Sequence, residues 1–212
     1  MTEVMDFGGR SVLFVMAARA EYGPELRARI NPLITGIGPV EAAVALTRAL
    51  AQMRHLPDLV VSLGSAGSAR LTQGEVYQVS RVGYRDMDAS PLGFAVGETP
   101  FLGLPAELDL PCPLENVPSA TLSTGGNIVS GAAYGRINAD MVDMETYALL
   151  RACMGFGLPL IALRGVSDGA AELRRIDDWT ALLPLVDRNL AHACDQLAEV
   201  LAAGWEPALA RK

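Results

Sequence analysis

Three stretches of this chain are apolar at nearly every position and rich in β-branched residues: Val12–Ala18, Leu59–Leu63 and Leu160–Val166. Short runs without polar alternation fit strands buried on both faces, which implies a sheet covered by other layers on each side. Elsewhere the apolar positions recur at helical spacing. Val40, Val44, Thr47 and Ala51 form one stripe between Pro39 and Met53, behind a proline suited to a helix's first turn. A second helix is expected from about Asp143 to Phe156. A third covers about Asp178 to Leu201, where Val186, Leu190, Leu197 and Leu201 share a face and Pro184 marks a kink or the true start. Strand followed by helix, repeated, predicts the α/β class. Between 86 and 118, residues such as Pro91, Gly97, Pro105, Pro111 and Pro118 interrupt the chain too often for any long element, so this stretch is expected to be loop. With no internal repeat, low-complexity tract or linker, residues 1–212 are expected to form a single domain.

Composition narrows the partners. Half of the 212 residues are apolar and 19% are charged, which excludes intrinsic disorder and predicts a substantial core. Seventeen Lys and Arg face 24 Asp and Glu, a net charge of -7, and no basic run occurs. A nucleic-acid backbone would be repelled, so a small neutral or cationic substrate fits better. Cys112, Cys153 and Cys194 are odd in number and lack metal-type spacing, which argues against a disulfide framework or a zinc site and for a reducing cytoplasm. The run Val12–Ala18 is too short to span a bilayer and lacks the flanks of a signal peptide, so neither membrane nor export is expected.

In open α/β sheets, ligands bind beyond the carboxyl ends of strands, so the polar residues after each apolar run are the candidates. They are Arg19-Ala20-Glu21, then Gly64-Ser65-Ala66-Gly67, then Ser167-Asp168-Gly169, with Asp143-Met144-Glu145 following Met141-Val142. Each has an ordinary reading. Glu21 suits a solvated first helical turn, Asp168 a turn cap before glycine, the Gly-Ser-Ala-Gly run a tight strand-to-helix turn, and Asp143 and Glu145 a helix N-terminus. Their shared position at strand ends favours one rim carrying three carboxylates and a small-residue loop. His55, His192, Trp179, Trp205 and the cysteines have no evident partners and receive no role.

The order of these segments resembles the purine nucleoside phosphorylase superfamily, and within it the 5′-methylthioadenosine/S-adenosylhomocysteine nucleosidases. Leu33 to Ala43 is similar to that family's TGIG segment and helix, Pro57 to Gly67 to its GSAG strand-loop, and Tyr84 to Phe94 to its YHDxD stretch. Val142 to Ala148 resembles the VEMEAxA segment, and Pro159 to Asp168 the PFxxxRxxSD strand. The resemblance implies a three-layer αβα sandwich around a mixed sheet, and a homodimer whose partner helps close the pocket at the 5′ end. It implies no cofactor and no metal. Glu21 would activate water and Asp168 would act at the adenine. Met144 and Glu145 would hold the ribose, with Asp143 in place of the family's first Glu. Ser65, Ala66 and Gly67 would line the sugar side, and Asn127 and Ile128 the base side. Asn127 stands where the family carries a stacking Phe, Arg85 replaces a His, and a hairpin before Pro32 is missing.

The chemistry explains such a set. Adenine leaves poorly as an anion, so a carboxyl that delivers a proton to its ring lowers the barrier, while a second, ionised carboxylate takes a proton from the attacking water. A third near the ribose stabilises the developing oxocarbenium charge. Two alternatives share the fold: a phosphorylase, which needs donors converging on phosphate, and a hydrolase of another adenosyl compound such as futalosine. A non-catalytic nucleoside sensor would have no need of Glu21.

Overall fold

Alternation within the apolar strands builds the layers. The computed structural model describes residues 4–206. The chain begins with β1 (Met5–Phe7) and β2 (Arg10–Met16), makes a 3-10 turn at Arg19–Glu21, and continues through α1 (Pro24–Arg27), β3 (Leu33–Ile34) and α2 (Pro39–Ala51). Next come β4 (Leu59–Gly67), β5 (Val76–Tyr84), β6 (Glu107–Asp109), β7 (Ser119–Thr124) and β8 (Met141–Asp143). The chain ends with α3 (Thr146–Phe156), β9 (Leu160–Asp168), α4 (Ile176–Thr180) and α5 (Leu183–Ala202). In β9, Leu160, Ala162 and Val166 face the core shared with α2 and α3, while Ile161 and Leu163 face the core shared with α1 and α5. β2 and β4 alternate in the same way. A mixed sheet with helices on both sides is the three-layer α/β architecture that the resemblance implied.

β2 and β9 flank β4 in parallel, β5 runs antiparallel to β9, and β7 lies parallel to β5 and to β8. The pair Gly67 and Val142, between β4 and β8, then closes the pairing into a ring. Parallel β2, β4 and β9 all end on one side, so the segments that come after them meet there.

Several expectations are corrected. Gly64-Ser65-Ala66-Gly67 is neither turn nor loop: it is the end of β4, paired residue for residue with β9 apart from an irregularity at Ala66/Gly67. Asp143 ends a strand and is not helical; α3 begins at Thr146, with Glu145 at its N-cap. Pro184 sits in the first turn of α5, so it marks a true start, and Asp178 belongs to the separate α4. Residues 86–118 are largely loop but contribute β6 and a 3-10 turn at Ser90–Leu92. On α2 the expected stripe is the outer one. Val40 and Val44 are 68% and 57% exposed, whereas Ala42, Leu46, Ala49 and Leu50 are buried.

Candidate functional site

Two glycines on β4 make room for two carboxylates. A Cβ on Gly64 would stand 3.2 Å from Glu21 Oε1, and one on Gly67 would stand 2.6 Å from Asp168 Oδ2. Glu21 is carried over β4 by the 3-10 turn that succeeds β2, and it is buried. Its Oε1 accepts the Ser65 amide and the Ser65 hydroxyl, both at 2.7 Å, and its Oε2 accepts the Ala18 amide at 3.2 Å. Three donors thus converge on one carboxylate and fix it as an acceptor.

Asp168 ends β9. Ser167 Oγ donates to its Oδ1 at 2.7 Å and the Tyr134 hydroxyl donates to its Oδ2 at 3.3 Å. Burial raises its proton affinity above the ordinary aspartate value, opposed by those two hydrogen bonds. Burial likewise raises the Tyr134 phenol, with the Asp168 charge adding to the effect.

Glu145 belongs to neither of these groups. Its Oε1 accepts the Gly38 amide at 2.8 Å, at the N-terminus of α2, where Gly38 holds a φ of 101° that side-chain-bearing residues rarely adopt. Burial and the neighbouring Asp143 charge nevertheless push the Glu145 carboxyl up to about 7, against the Gly38 hydrogen bond and Arg164, which pull it down.

Asp143 is committed inside the protein. Its Oδ1 accepts Thr124 Oγ1 at 2.6 Å, while its Oδ2 takes the Thr146 amide, the Thr146 hydroxyl and Arg164 at 3.1 Å. Arg164 and Asp143 are both almost fully buried, and the guanidinium also donates to Ser62 Oγ and Thr146 Oγ1. Arg85 is similarly occupied. It donates to the carbonyls of Ser123, Gly125, Asn127 and Asp143 and to Asn127 Oδ1, fixing the loop after β7, and burial lowers its proton affinity. That loop turns Asn127 toward Arg85 and leaves Ile128 exposed at the cavity.

A single cavity of about 530 Å³ is lined by Glu21, Ser65, Ala66, Gly67, Asn127, Ile128, Asp143, Met144, Glu145 and Asp168, the ten residues to which the resemblance assigns a role, while Arg19, Ala20, Gly64, Ser167 and Gly169 of the candidate segments do not line it. Apolar side chains make up much of the remaining wall, as is usual for small-molecule sites. Trp179, given no role from sequence, also lines it, and its indole donates to Ser65 Oγ at 3.0 Å. Ile37 and the segment Leu173–Ile176 were missed as well. The segment beyond Asp168 lies past a strand end, so the rule that found Asp168 extends to it. Tyr134 had no such signal. Among the described residues no group of three His, Cys, Asp or Glu side chains is placed to hold a metal ion.

Comparison with known proteins gives this architecture its class. The sequence model of the Phosphorylase superfamily matches residues 26–203, so the chain belongs to that superfamily. The 5′-methylthioadenosine/S-adenosylhomocysteine nucleosidase of Staphylococcus aureus is 30% identical over 161 residues, covering 66% of this chain and 69% of that protein. Within the superfamily, the chain therefore belongs to the family of that nucleosidase. Among solved structures, the nucleosidase of Neisseria meningitidis in complex with methylthio-immucillin-A superimposes with a TM-score of 0.72 at 22% identity, covering 91% of this chain and 98% of that one. The futalosine hydrolase of Helicobacter pylori gives 0.74 at 18% identity, covering 89% and 97%. At these identities, the two structures speak for the fold.

Proposed function

We propose that this chain hydrolyses the N-glycosidic bond of 5′-methylthioadenosine and S-adenosylhomocysteine, releasing adenine and the thioribose product, with no cofactor or metal. The observation that carries the reading is that three buried carboxyl groups from distant parts of the chain share one cavity in different environments. Asp168, whose proton affinity is raised, delivers the proton to the adenine ring as the glycosidic bond breaks. Glu21, held as an acceptor by three donors, takes the proton from the water that attacks the ribosyl carbon. Glu145 receives the ribose hydroxyls beside Met144 and faces the developing positive charge. Ser65, Ala66 and Gly67 wall the sugar, Asn127 and Ile128 the base, and Asp143 acts from behind through Thr146 and Arg164. Water is favoured over phosphate because Arg85 and Arg164 are spent on carbonyls, hydroxyls and Asp143 and Arg174 is paired with Glu172, which leaves Arg175 of the wall to meet an anion, fewer than the convergent donors a phosphate needs.

A homodimer is part of the proposal. Ile37, Val40 and Val44 leave an apolar outer face on and beside α2, and Phe101 is 96% exposed, the kind of surface a second copy covers. The cytoplasm is the proposed compartment, supported by three free cysteines; no helix among the described residues is long and apolar enough to cross a membrane.

The test is an adenine-release assay with methylthioadenosine, adenosylhomocysteine and adenosine, each with and without phosphate. Phosphate-independent release from the two thioethers is expected. A rate that depends on phosphate would assign a phosphorylase, and tight binding without release would assign a sensor.

A further inference from the structure

Trp179 lines the cavity with its polar atom bonded to a group that itself holds the candidate base. Its indole N–H can only donate, so at 3.0 Å the Ser65 hydroxyl must accept from it. Ser65 then has one proton to place, and Glu21 Oε1 lies 2.7 Å away. Without the indole, only the bond to Oε1 directs the hydroxyl, and a change of the Ser65 rotamer can carry it to another acceptor in the cavity. With it, Ser65 Oγ and the Ser65 amide both close on Oε1, and Oε2, engaged by the Ala18 amide at 3.2 Å, is the oxygen left to take a proton.

We infer that Trp179 is a positioning residue for Glu21, acting through Ser65: the indole fixes the direction of the Ser65 hydroxyl and so decides which oxygen of Glu21 faces the reacting water. The indole is itself anchored. Trp179 sits on α4, whose approach is fixed by the Asp178 carboxylate accepting the Arg174 and Arg175 amides at 2.8 and 2.9 Å. Nothing in the local sequence marks the residue, because Ser65 lies 114 positions away. The inference rests on the hydrolase reading with Glu21 as base.

Trp179→Phe keeps a ring in the wall and removes only the N–H. In an enzyme that hydrolyses methylthioadenosine, kcat is expected to fall about tenfold, the scale of one lost hydrogen bond, with KM changed less than about twofold. In a Ser65→Ala background the same substitution is expected to cost nothing further, because its route of action is gone. Unchanged kcat, a rise in KM alone, or full additivity with Ser65→Ala would each overturn the inference and leave the hydrolase reading intact. Inactivity of the wild type toward every nucleoside would instead overturn the hydrolase reading and this inference together. The indole N–H resonance of the wild-type protein gives a readout free of activity. It should move on Ser65→Ala, and an unmoved resonance would refute the contact even if Trp179→Phe does not fold.

Discussion

Glu145→Gln should make this protein more stable and less active, with a stabilisation that depends on pH. Folding raises the Glu145 carboxyl from its ordinary 4.5 to about 7, through burial and the adjacent Asp143 charge. The native state therefore binds this proton more tightly than the unfolded chain does. That contribution is fully present below about pH 4.5 and is lost as the pH rises through about 7, where the native state must carry a desolvated charge. At 1.36 kcal/mol per pH unit, the displacement corresponds to about 3 kcal/mol. Glutamine never ionises and keeps an oxygen for the Gly38 amide. Its advantage over Glu should be about 1 kcal/mol at pH 5.5 and about 3 kcal/mol at pH 8. Urea unfolding of both proteins at the two pH values measures this directly, while the loss of a carboxylate at the ribose should depress hydrolysis most at pH 8, where the wild-type group is ionised. An equal difference in stability at the two pH values, or a variant less stable at pH 8, would refute the argument that Glu145 is held at an electrostatic cost.

Three other outcomes are expected. Asp168→Asn should fold with a melting temperature no lower than that of the wild type, since burial already raises the carboxyl's proton affinity, and release adenine about 10²–10⁴-fold more slowly; full activity would remove Asp168 from proton transfer. Arg164→Ala leaves the buried Asp143 without its cation and should cost about 3–5 kcal/mol in chemical denaturation, and a loss below about 1 kcal/mol would show that the threonine hydroxyls suffice. Val44→Asp on the outer face of α2 should leave folding stability within about 0.5 kcal/mol but convert dimer to monomer in analytical ultracentrifugation, so a wild type already monomeric at micromolar concentration would dispose of that interface.

The strands that sequence reveals best are those buried on both faces. β2, β4 and β9 are legible because they carry no polar alternation. β5 and β7 are not: Gln78, Ser80 and Arg81 break up one, and Ser119, Thr121, Ser123 and Thr124 the other, although both lie inside the ring of pairings. The stripe on α2 comes out inverted because both of its faces are apolar, and spacing alone cannot say which one meets the core. The Gly-Ser-Ala-Gly run suggests a turn on composition. It is strand because small residues are needed there to let Glu21 and Asp168 come close. The candidate site is legible from the polar residues just past the strand ends, combined with the family resemblance. Trp179 and Tyr134 are not, since each acts through a partner distant in sequence.

The alternating facings of β9 carry a consequence for how this site can be lost. Leu160, Ala162 and Val166 look one way, and Ile161 and Leu163 the other, while a side chain at Gly165 would collide with Val186 of α5. Loss of one residue between Leu163 and Val166, upstream of the irregularity at the strand end, would leave the apolar layers before it intact yet turn Val166 and the carboxylate beyond it to the opposite surfaces. Function here depends on odd and even counting along a strand, so small insertions and deletions threaten it more than most substitutions do, and anyone transplanting this strand end into another scaffold must preserve the parity before the identity of the residues.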